Sequence, residues 1–416
     1  MTPARPGQGQ PASPPPADLA PAACAGLGIV YFGNEWFAEN RTSSHHMARQ
    51  LAGMAPLLYV DSPGMRAPAA TGRDLRRIWR KLAQALHRPR PVAPGLWHCT
   101  VPQLPWRRLP GVAWLNRWFG AWAVRRAMQH AGITCPVLWF VVPHPSFMLD
   151  AIAHGLAIYY CIDDYAAHPG VDAVHITACD AELTRRADHV FVAPPALVAA
   201  KQRLNPAASY SPHGVDTELF ALAQAEATVV PRRALGLHSP VVGYFGLIAA
   251  WTDIDLLCWL AQQRPQWSFL LVGHAAVDIA RLTRLPNVHW VGAQPYESLP
   301  GWAKAFDVAV MPYRNNRQVQ NANPLKLREY LATGKPVVSV STPEVARFAP
   351  LVRLADTHEA FLAEIENALR DDSPALRGQR MQAVQGMGWA QRAQEAWRIA
   401  GQALQRRSAG RHQAGG

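Results

Sequence analysis

Two adjacent carboxylates, Asp163 and Asp164, stand where an α/β protein usually places reactive groups. They directly follow the apolar run 156–162, which predicts a buried strand. Polar side chains just past a strand end lie at the ligand crevice of an open parallel sheet, so one of the two could take a proton from a substrate hydroxyl. Neighbouring side chains point in roughly opposite directions, and we therefore expect only one to face a cleft. The alternative is that the pair caps the following helix.

Further polar candidates follow two other predicted strands. His144 comes after the apolar run 136–142 and is another candidate base. The run 27–32 predicts the first strand, and the loop and helix that follow it would lie at the same edge of the sheet. That segment offers three side chains that could bind an acceptor substrate: Asn34, His45 and His46. Histidines near a helix start are also common on an ordinary surface, which is the alternative.

Lys326 and Glu329 lie on a helix predicted from about Pro324 to Gly334, between strand-like runs at 306–312 and 337–340. A helix N-terminus attracts anions, so a lysine in its first turn is disfavoured unless it contacts something negative. Glu329 lies one turn further on the same side of the helix. A lysine for phosphate beside a carboxylate for ribose hydroxyls would bind a nucleotide. The alternative is a solvated ion pair on an ordinary helix.

Two glycines mark further turns in the second half of the chain. Gly246 ends the strand-like run 241–245, ahead of a helix predicted from about Ile254, and a glycine there lets phosphate approach backbone N–H groups. A simple turn glycine is the alternative. Gly292 follows the strand-like run 288–291 and precedes Tyr296. The loop after the first strand lacks Gly-x-Gly-x-x-Gly, so the nicotinamide-type fingerprint is absent there.

The segment 323–339 resembles the C-terminal motif of group-1 nucleotide-sugar glycosyltransferases of the GT-B fold, in particular bacterial polysaccharide enzymes of the teichuronic-acid type. In that family a Glu ahead of Gly-Lys-Pro-Val-Val binds the donor ribose, and Glu329 matches it. Many relatives have a second Glu seven residues earlier that grips the donor sugar. Ala322 stands there in this chain. Possible substitutes for that Glu are Asn321, Asn323 and Gln318.

Two other stretches resemble the same family. Residues 159–165 are similar to its polysaccharide enzymes, and Gly214 to Asp216 with Phe220 matches its Gly-Val-Asp-x-x-x-Phe motif at the hinge between two domains. The resemblance covers residues 140–345 well and 27–60 loosely. It implies an α/β protein of the GT-B fold, with two Rossmann-like parallel-sheet domains facing across a cleft and a C-terminal helix crossing back to the first domain.

The resemblance, laid over the predicted strands and helices, implies the following domain plan. Residues 23–220 would form the acceptor-binding domain, with a membrane-contact insertion at 66–126, and residues 221–385 the donor-binding domain. A crossover helix would follow at 386–404, and a flexible basic tail at 405–416. The proline-rich residues 1–22 are typical of a disordered tail.

The resemblance also implies the reaction, which is transfer of a sugar from a UDP- or GDP-sugar to a hydroxyl, with no cofactor and no bound metal. Gly246 and Lys326 would offset the charge of the leaving diphosphate. Residues from Gly292 to Tyr296 would contact the nucleotide base through main-chain groups. If the reaction retains the anomeric configuration, the leaving phosphate oxygen could accept the acceptor proton. If it inverts the configuration, the base would be Asp163, Asp164 or His144.

The basic charge is concentrated in one tryptophan-rich segment. Between Arg66 and Arg126 there are thirteen Arg or Lys residues and one acidic residue, so this segment carries the whole formal charge of +12. It also holds six of the tryptophans and predicts two helices, at about 71–87 and 111–130, around a proline-rich loop. Arginine with tryptophan suits an anionic membrane surface. Nucleic acid binding and inward packing of the tryptophans are the alternatives.

Length and composition set the remaining expectations. A chain of 416 residues with 49% hydrophobic residues is globular, and its six scattered cysteines predict reduced thiols without a metal site. The sequence shows neither an apolar run long enough to span a bilayer nor the pattern of a signal peptide. We therefore expect a cytoplasmic protein, peripheral on the inner face of the plasma membrane, that acts on a lipid-linked or other glycan acceptor and does not bind nucleic acid. The rival functions are a nucleotide-sugar 2-epimerase and a degenerate GT-B scaffold.

Overall fold

Two parallel sheets, one in each half of the chain, form the framework of the molecule. The structure is a computed structural model that describes residues 25–37, 41–61, 88–101 and 111–414, with side chains as far as residue 407. The proline-rich tail 1–22 and the amphipathic helix predicted at 71–87 lie outside the described residues.

The first sheet has eight strands in the order β3-β4-β2-β1-β5-β6-β7-β8, and all neighbours are parallel except β3 and β4. Its central strands are apolar and buried on both faces, as expected when helices cover a parallel sheet. The strands are β1 Leu27–Gly33, β2 Leu57–Asp61, β3 Arg90–Ala93, β4 Leu96–Thr100, β5 Cys135–Phe140, β6 Leu156–Cys161, β7 His189–Val192 and β8 Ala208–Tyr210.

The second sheet has six strands, all parallel, in the order β11-β10-β9-β12-β13-β14. Its central strand β9 lies between β10 and β12, so the loop after β9 opens at the middle of the sheet's carboxyl edge. The strands are β9 Val241–Phe245, β10 Ser268–Val272, β11 Val288–Trp290, β12 Val308–Met311, β13 Val337–Ser339 and β14 Val352–Leu354.

Helices cover both faces of the two sheets. In the first domain they are α1 Ser43–Ala52, α2 Val112–His130, α3 Met148–Ala151, α4 Ala173–Arg186 and α5 Pro195–Leu204. In the second they are α6 Thr217–Ala221, α7 Ile254–Gln263, α8 Ala280–Thr283, α9 Leu299–Lys304, α10 Arg317–Gln320, α11 Leu325–Ala332, α12 His358–Asp371 and α13 Pro374–Val384. The chain ends in α14 Trp389–Ala414. None of the helices in the described parts of the chain is both long and apolar enough to cross a membrane.

The last helix returns to the first domain, as the GT-B pattern predicts. Ala393, Trp397 and Leu404 of α14 pack into the same core as Ile29 of β1 and Ile158 of β6. The helix ends at Ala414, ten residues beyond its predicted end at Leu404. The extra turns are tied down by an ion pair of 2.5 Å between Arg407 and Asp188, which the sequence pattern did not reveal.

Two local predictions were wrong. Residues 90–100 form the β3–β4 hairpin rather than a proline-rich loop, because β4 adds in parallel to β2 and buries Leu96 there. The junction between the domains lies near Val215 rather than after Phe220, because both side chains belong to the core of the second domain. Phe220 stacks on Phe245 with ring centroids 5.7 Å apart.

Candidate functional site

A cleft of about 680 Å³ separates the two domains at the carboxyl edges of their sheets. Parallel α/β sheets bind ligands at this edge, and the cleft is of the size that holds a small-molecule ligand. From the first domain it is lined by residues that include Asn34, Arg41, Thr42, Ser43, Asp163, Tyr165, His168 and His213. From the second domain the polar lining includes Gln294, Tyr296, Gln318, Asn323, Lys326 and Glu329.

Gly246 and Lys326 meet at the end of the central strand β9. Gly246 has a φ of +132°, and a Cβ atom there would overlap Cε of Lys326. Only glycine therefore lets the lysine side chain cross the strand end. The ammonium lies 5.8 Å from the ring centroid of Tyr244, and within the described ranges Lys326 forms no ion pair. This cation, beside the glycine turn, can receive a phosphate.

Glu329 lies one turn after Lys326 on α11 and also lines the cleft. The Tyr296 hydroxyl donates to Glu329 Oε1 over 3.4 Å. Burial raises the pKa of Glu329 to about 7, while the nearby charge of Lys326 acts in the opposite direction. A carboxylate that is buried and has one weak donor in the described structure can accept hydrogen bonds from the hydroxyls of a ligand.

Asp163 faces the cleft and forms a pair with His168. Asp163 Oδ2 lies 2.9 Å from His168 Nε2, and the Asp164 N–H donates to Asp163 Oδ1 over 2.8 Å. With Nε2 directed at the carboxylate, His168 can offer Nδ1 to a ligand in the cleft. His168 was not among the predicted site residues. Its spacing, five residues after Asp163 in the same loop, was the one available indication.

Asp164, the other predicted candidate base of this pair, lies outside the cleft lining. Its Oδ2 accepts from Arg317 Nε and from Asn321 Nδ2, both over 2.9 Å, and these donors belong to the other domain. Asp164 is only 9% exposed. Its side chain does not cap the following turn Tyr165–Ala167 either. A carboxylate held by two donors from the opposite domain is occupied by the domain contact.

The proposed substitutes for the missing Glu at position 322 divide into two groups. Asn321 binds Asp164 and lies outside the cleft. Asn323 lines the cleft, but its side-chain amide donates to the Ala193 carbonyl over 2.7 Å and its oxygen accepts from Arg328 over 2.6 Å. Ala322 and Gln318 also line the cleft. Of the three substitutes, only Gln318 combines a place on the cleft with a side chain that is not used in these domain contacts.

Asn34 lines the cleft, whereas His45 and His46, the other two predicted acceptor ligands, lie outside its lining. The Thr42 N–H donates to His45 Nδ1 over 3.0 Å, and His45 Nε2 lies 3.1 Å from the Glu35 carbonyl, so this ring fixes the start of α1. Burial lowers the pKa of His45.

His46 is a packing residue between the domains. Its ring stacks on Trp389 at 5.0 Å and lies 5.2 Å from the ring of Tyr296. Burial, with the charge of Arg41 beside it, lowers the pKa of His46 to about 4. In its place Arg41 reaches the cleft, where it forms an ion pair of 2.8 Å with Glu297 and lies over the Tyr296 ring.

Two further predicted site residues also lie away from the cleft. His144 is buried in the first domain and does not line the cleft. Gly292 adopts a φ of +74°, and its carbonyl accepts from the Gly273 N–H over 2.8 Å. This hydrogen bond holds the turn that follows β10. His213 does line the cleft, in contact with the Tyr160 hydroxyl at 3.1 Å, and burial lowers its pKa to about 3. Sequence analysis recognised its neighbours only as a hinge motif.

Across the described ranges, no three His, Cys, Asp or Glu side chains are grouped so that they could hold a metal ion.

Part of the chain is similar in sequence to a known family, and nearly the whole chain is similar in fold to solved structures. Residues 236–371 match the profile of the family described as Glycosyl transferases group 1. The putative teichuronic acid biosynthesis glycosyltransferase TuaH of Bacillus subtilis is 37% identical over 141 residues. That match covers 32% of this chain and only 34% of TuaH, so the chain matches about a third of this curated relative.

Solved structures resemble nearly the whole chain. Sucrose-phosphate synthase of Thermosynechococcus elongatus has a TM-score of 0.66 at 17% identity, covering 92% of this chain and 100% of its own. Anabaena HepE in complex with UDP and glucose has a TM-score of 0.56 at 16% identity, covering 92% and 99%. An Escherichia coli trehalose-6-phosphate protein bound to UDP-2-fluoro glucose has a TM-score of 0.64 at 9% identity, covering 89% and 97%. At these identities the likeness shows the fold, which confirms the predicted GT-B architecture.

Proposed function

We propose that this chain, whose residues 236–371 match the group 1 glycosyl transferases, moves a sugar from a nucleotide-sugar donor to a hydroxyl of a glycan acceptor. The observation that carries the proposal is the arrangement of Gly246, Lys326 and Glu329 on one wall of the cleft between the domains. A cation that crosses a glycine turn and a buried carboxylate one helical turn away suit the diphosphate and the ribose of the same ligand.

The donor is a UDP-sugar or a GDP-sugar. In the reaction the bond between the anomeric carbon and the diphosphate oxygen breaks, and the acceptor oxygen forms the new bond to that carbon. Negative charge then develops on the leaving diphosphate. Lys326 and the backbone N–H groups beside Gly246 offset this charge, which stabilises the transition state more than the ground state. The structures of HepE and of the E. coli protein, which contain UDP or a UDP-sugar, favour uridine among the nucleotides.

The acceptor proton has two possible destinations. If the configuration is retained, an oxygen of the leaving phosphate takes it. If it is inverted, Asp163 is the candidate base, since it faces the cleft while Asp164 and His144 do not. The pairing of Asp163 with His168 would spread the positive charge of an incoming proton over the two groups.

We assign the acceptor to the lipid-linked glycans of cell-envelope or exopolysaccharide synthesis, and the protein to the cytoplasmic face of the plasma membrane as a peripheral protein. Support comes from α2, on which Trp114 is 66% and Trp118 is 52% exposed, with Arg117 between them. TuaH, whose name refers to teichuronic acid biosynthesis, supports the envelope assignment.

Thermal-shift measurements with UDP, GDP, ADP, CMP and dTDP test the proposal. A ligand that binds the folded state raises its melting temperature by mass action. We expect one nucleotide to raise the melting temperature of the wild type, and Glu329→Ala to lose most of that shift. Glu359→Ala, which removes an exposed carboxylate of α12 away from the cleft, is the matched control and keeps the full shift.

Failure of all five nucleotides to shift the wild type would overturn the proposal. The remaining candidate would then be a degenerate GT-B scaffold, the function favoured by Ala322 and by the use of Asn321 and Asn323 in domain contacts.

A further inference from the structure

Asp164 joins the two domains through a contact outside the cleft lining. The residue belongs to the loop after β6 in the first domain, and its carboxylate binds Arg317 Nε and Asn321 Nδ2 of the second domain at 2.9 Å each. Arg317 and Asn321 lie one helical turn apart, on and just beyond the short helix α10. We call these three residues the clasp. Asp164 is 9% exposed, so closing the domains removes most of this carboxylate from water.

The part of the clasp in the second domain, Arg317 and Asn321, is fixed by contacts within that domain. Asn316 caps α10 by accepting from the Val319 N–H over 3.0 Å. The side chain of Gln320 donates to the Ser341 carbonyl over 2.9 Å. Because α10 is fixed on its own domain at both ends, the donors of Arg317 and Asn321 are set in place for Asp164.

The clasp lies beside the Asp163–His168 pair. The Asp164 N–H donates to Asp163 Oδ1, so fixing Asp164 also fixes the carboxylate that His168 contacts. These two cleft residues belong to the first domain, whereas Lys326 and Glu329 belong to the second. The distance between these two pairs of residues depends on how the two domains are arranged. The clasp is a polar contact between the domains, and one of its members, Asp164, directly follows Asp163 in the chain.

We propose that Asp164, Arg317 and Asn321 are positioning residues, which close the domains over the bound donor and set the Asp163–His168 pair against the reacting sugar. The proposal rests on the function proposed above, since it assigns the clasp a role in the same cleft. Both domains line the cleft, so a bound donor would favour the domain arrangement seen here. The clasp would stabilise the same arrangement, because its hydrogen bonds join the two domains.

Charge exchange tests whether the clasp acts through direct contact. The variants are Asp164→Arg, Arg317→Asp and the double variant Asp164→Arg/Arg317→Asp, with Asp164→Asn as the conservative change. The control is Arg314→Ala. Arg314 is an exposed residue of the segment between β12 and α10, and its ion pair with Asp255 lies within the second domain. If the double variant loses less activity and UDP affinity than the two single variants lose together, the two residues are energetically coupled.

Three readouts are needed. Small-angle X-ray scattering with and without UDP reports domain closure and needs no turnover. Thermal shift with UDP reports ligand binding. Release of UDP from UDP-glucose, with water as the acceptor, reports kcat and KM.

We expect the single charge reversals to increase the radius of gyration in the presence of UDP and to weaken UDP binding by about tenfold, because the closed state becomes a minor population. We also expect kcat for UDP-glucose to fall by about tenfold or more, with partial recovery in the double variant. Arg314→Ala should match the wild type in all three.

Two results would overturn the inference. The first is an unchanged radius of gyration and UDP affinity in both single variants. The second is a double variant no better than the singles, which would show that the two charges do not act on each other. Failure of the proposed function looks different, because the wild type itself would then show no melting shift with any nucleotide.

Discussion

Helix α11 divides its residues between two tasks by their spacing along the chain. Lys326 and Glu329, three residues apart, face the cleft. Arg328 points to the other side, where it binds Glu344 and donates to Asn323, which in turn contacts the first domain. Glu344 also accepts from Tyr210 of the first domain over 2.9 Å. One short helix thus carries two cleft-lining charged groups on one side and a buried polar link to the other domain on the opposite side.

The raised pKa of Glu329 predicts opposite effects of pH on folding and on nucleotide binding. Burial raises this pKa from 4.5 to about 7, so between these values the folded protein keeps a proton that the unfolded chain has released. The free energy of unfolding of the unliganded protein therefore falls as the pH rises from about 4.5 through 7, by up to about 3 kcal/mol from this group. Denaturant titrations at pH 5 and pH 8 measure the difference.

Glu329→Gln should remove this contribution and flatten the pH dependence, because its amide does not titrate. Glu359→Gln, at an exposed position, should leave the slope as in the wild type. UDP affinity should instead increase with pH in the wild type, since the ionised carboxylate accepts hydrogen bonds from ribose hydroxyls more strongly. The prediction would be contradicted if the free energy of unfolding had the same pH dependence in the wild type and in Glu329→Gln.

At the residue scale, sequence could locate side chains whose role follows from local position. Lys326 and Glu329 were predicted as nucleotide ligands because a cation in the first turn of a helix needs a negative partner. The structure places both on the wall of the cleft, and their role as ligands stays a prediction. The sequence could not show that three predicted site residues contact the opposite domain, because these contacts depend on how the two domains are arranged. They are Asp164, Asn321 and Asn323. His168 escaped notice because its link to Asp163 depends on the path of the loop between them.

At the scale of elements, the last helix determines how much of the first domain's core is complete. The side chain of Trp397 on α14 is 7% exposed and packs into the core beneath β1 and β6. Trp397→Ala should lower the free energy of unfolding by about 3 kcal/mol, because it leaves a large cavity between the helix and the sheet. Chemical denaturation monitored by circular dichroism measures the loss.

Trp118→Ala is the matched control, since it removes an indole that is 52% exposed on α2. We expect it to cost about 0.5 kcal/mol or less. Similar losses in the two variants would show that α14 contributes little to the core of the first domain.

The elements that sequence predicted best are the buried parallel strands. The apolar runs at 136–142 and 156–162 became β5 and β6, because a strand buried on both faces must be apolar along its whole length. The β3–β4 hairpin was missed because prolines and a glycine dominate residues 89–95, and its stability comes from pairing with β2 rather than from local preference. The extension of α14 depends on Arg407 meeting Asp188, a contact between residues far apart in sequence.

At the scale of the whole molecule, the excess positive charge and the exposed aromatic residues of α2 belong to one segment of the sequence. The segment 66–126 carries the whole formal charge, and α2, which begins within it, exposes Trp114, Leu115 and Trp118. Indole rings partition to the headgroup region of a bilayer, and arginines are attracted to anionic lipids. We therefore expect the full chain to float with vesicles that contain anionic phospholipid, and to float less with neutral ones.

The double variant Trp114→Ala/Trp118→Ala should bind anionic vesicles about tenfold more weakly, since two large apolar groups are lost from the interface. Val174→Ala/Val229→Ala is the control, because these residues are 83% and 81% exposed but lie outside the basic segment. Weaker binding at high salt does not by itself distinguish the membrane from nucleic acid, because nucleic acid binding also releases counterions and weakens with salt. The tryptophan dependence separates the two. A protein that bound oligonucleotides tightly and vesicles weakly, with both tryptophans in place, would contradict the membrane assignment and leave the acceptor outside the lipid surface.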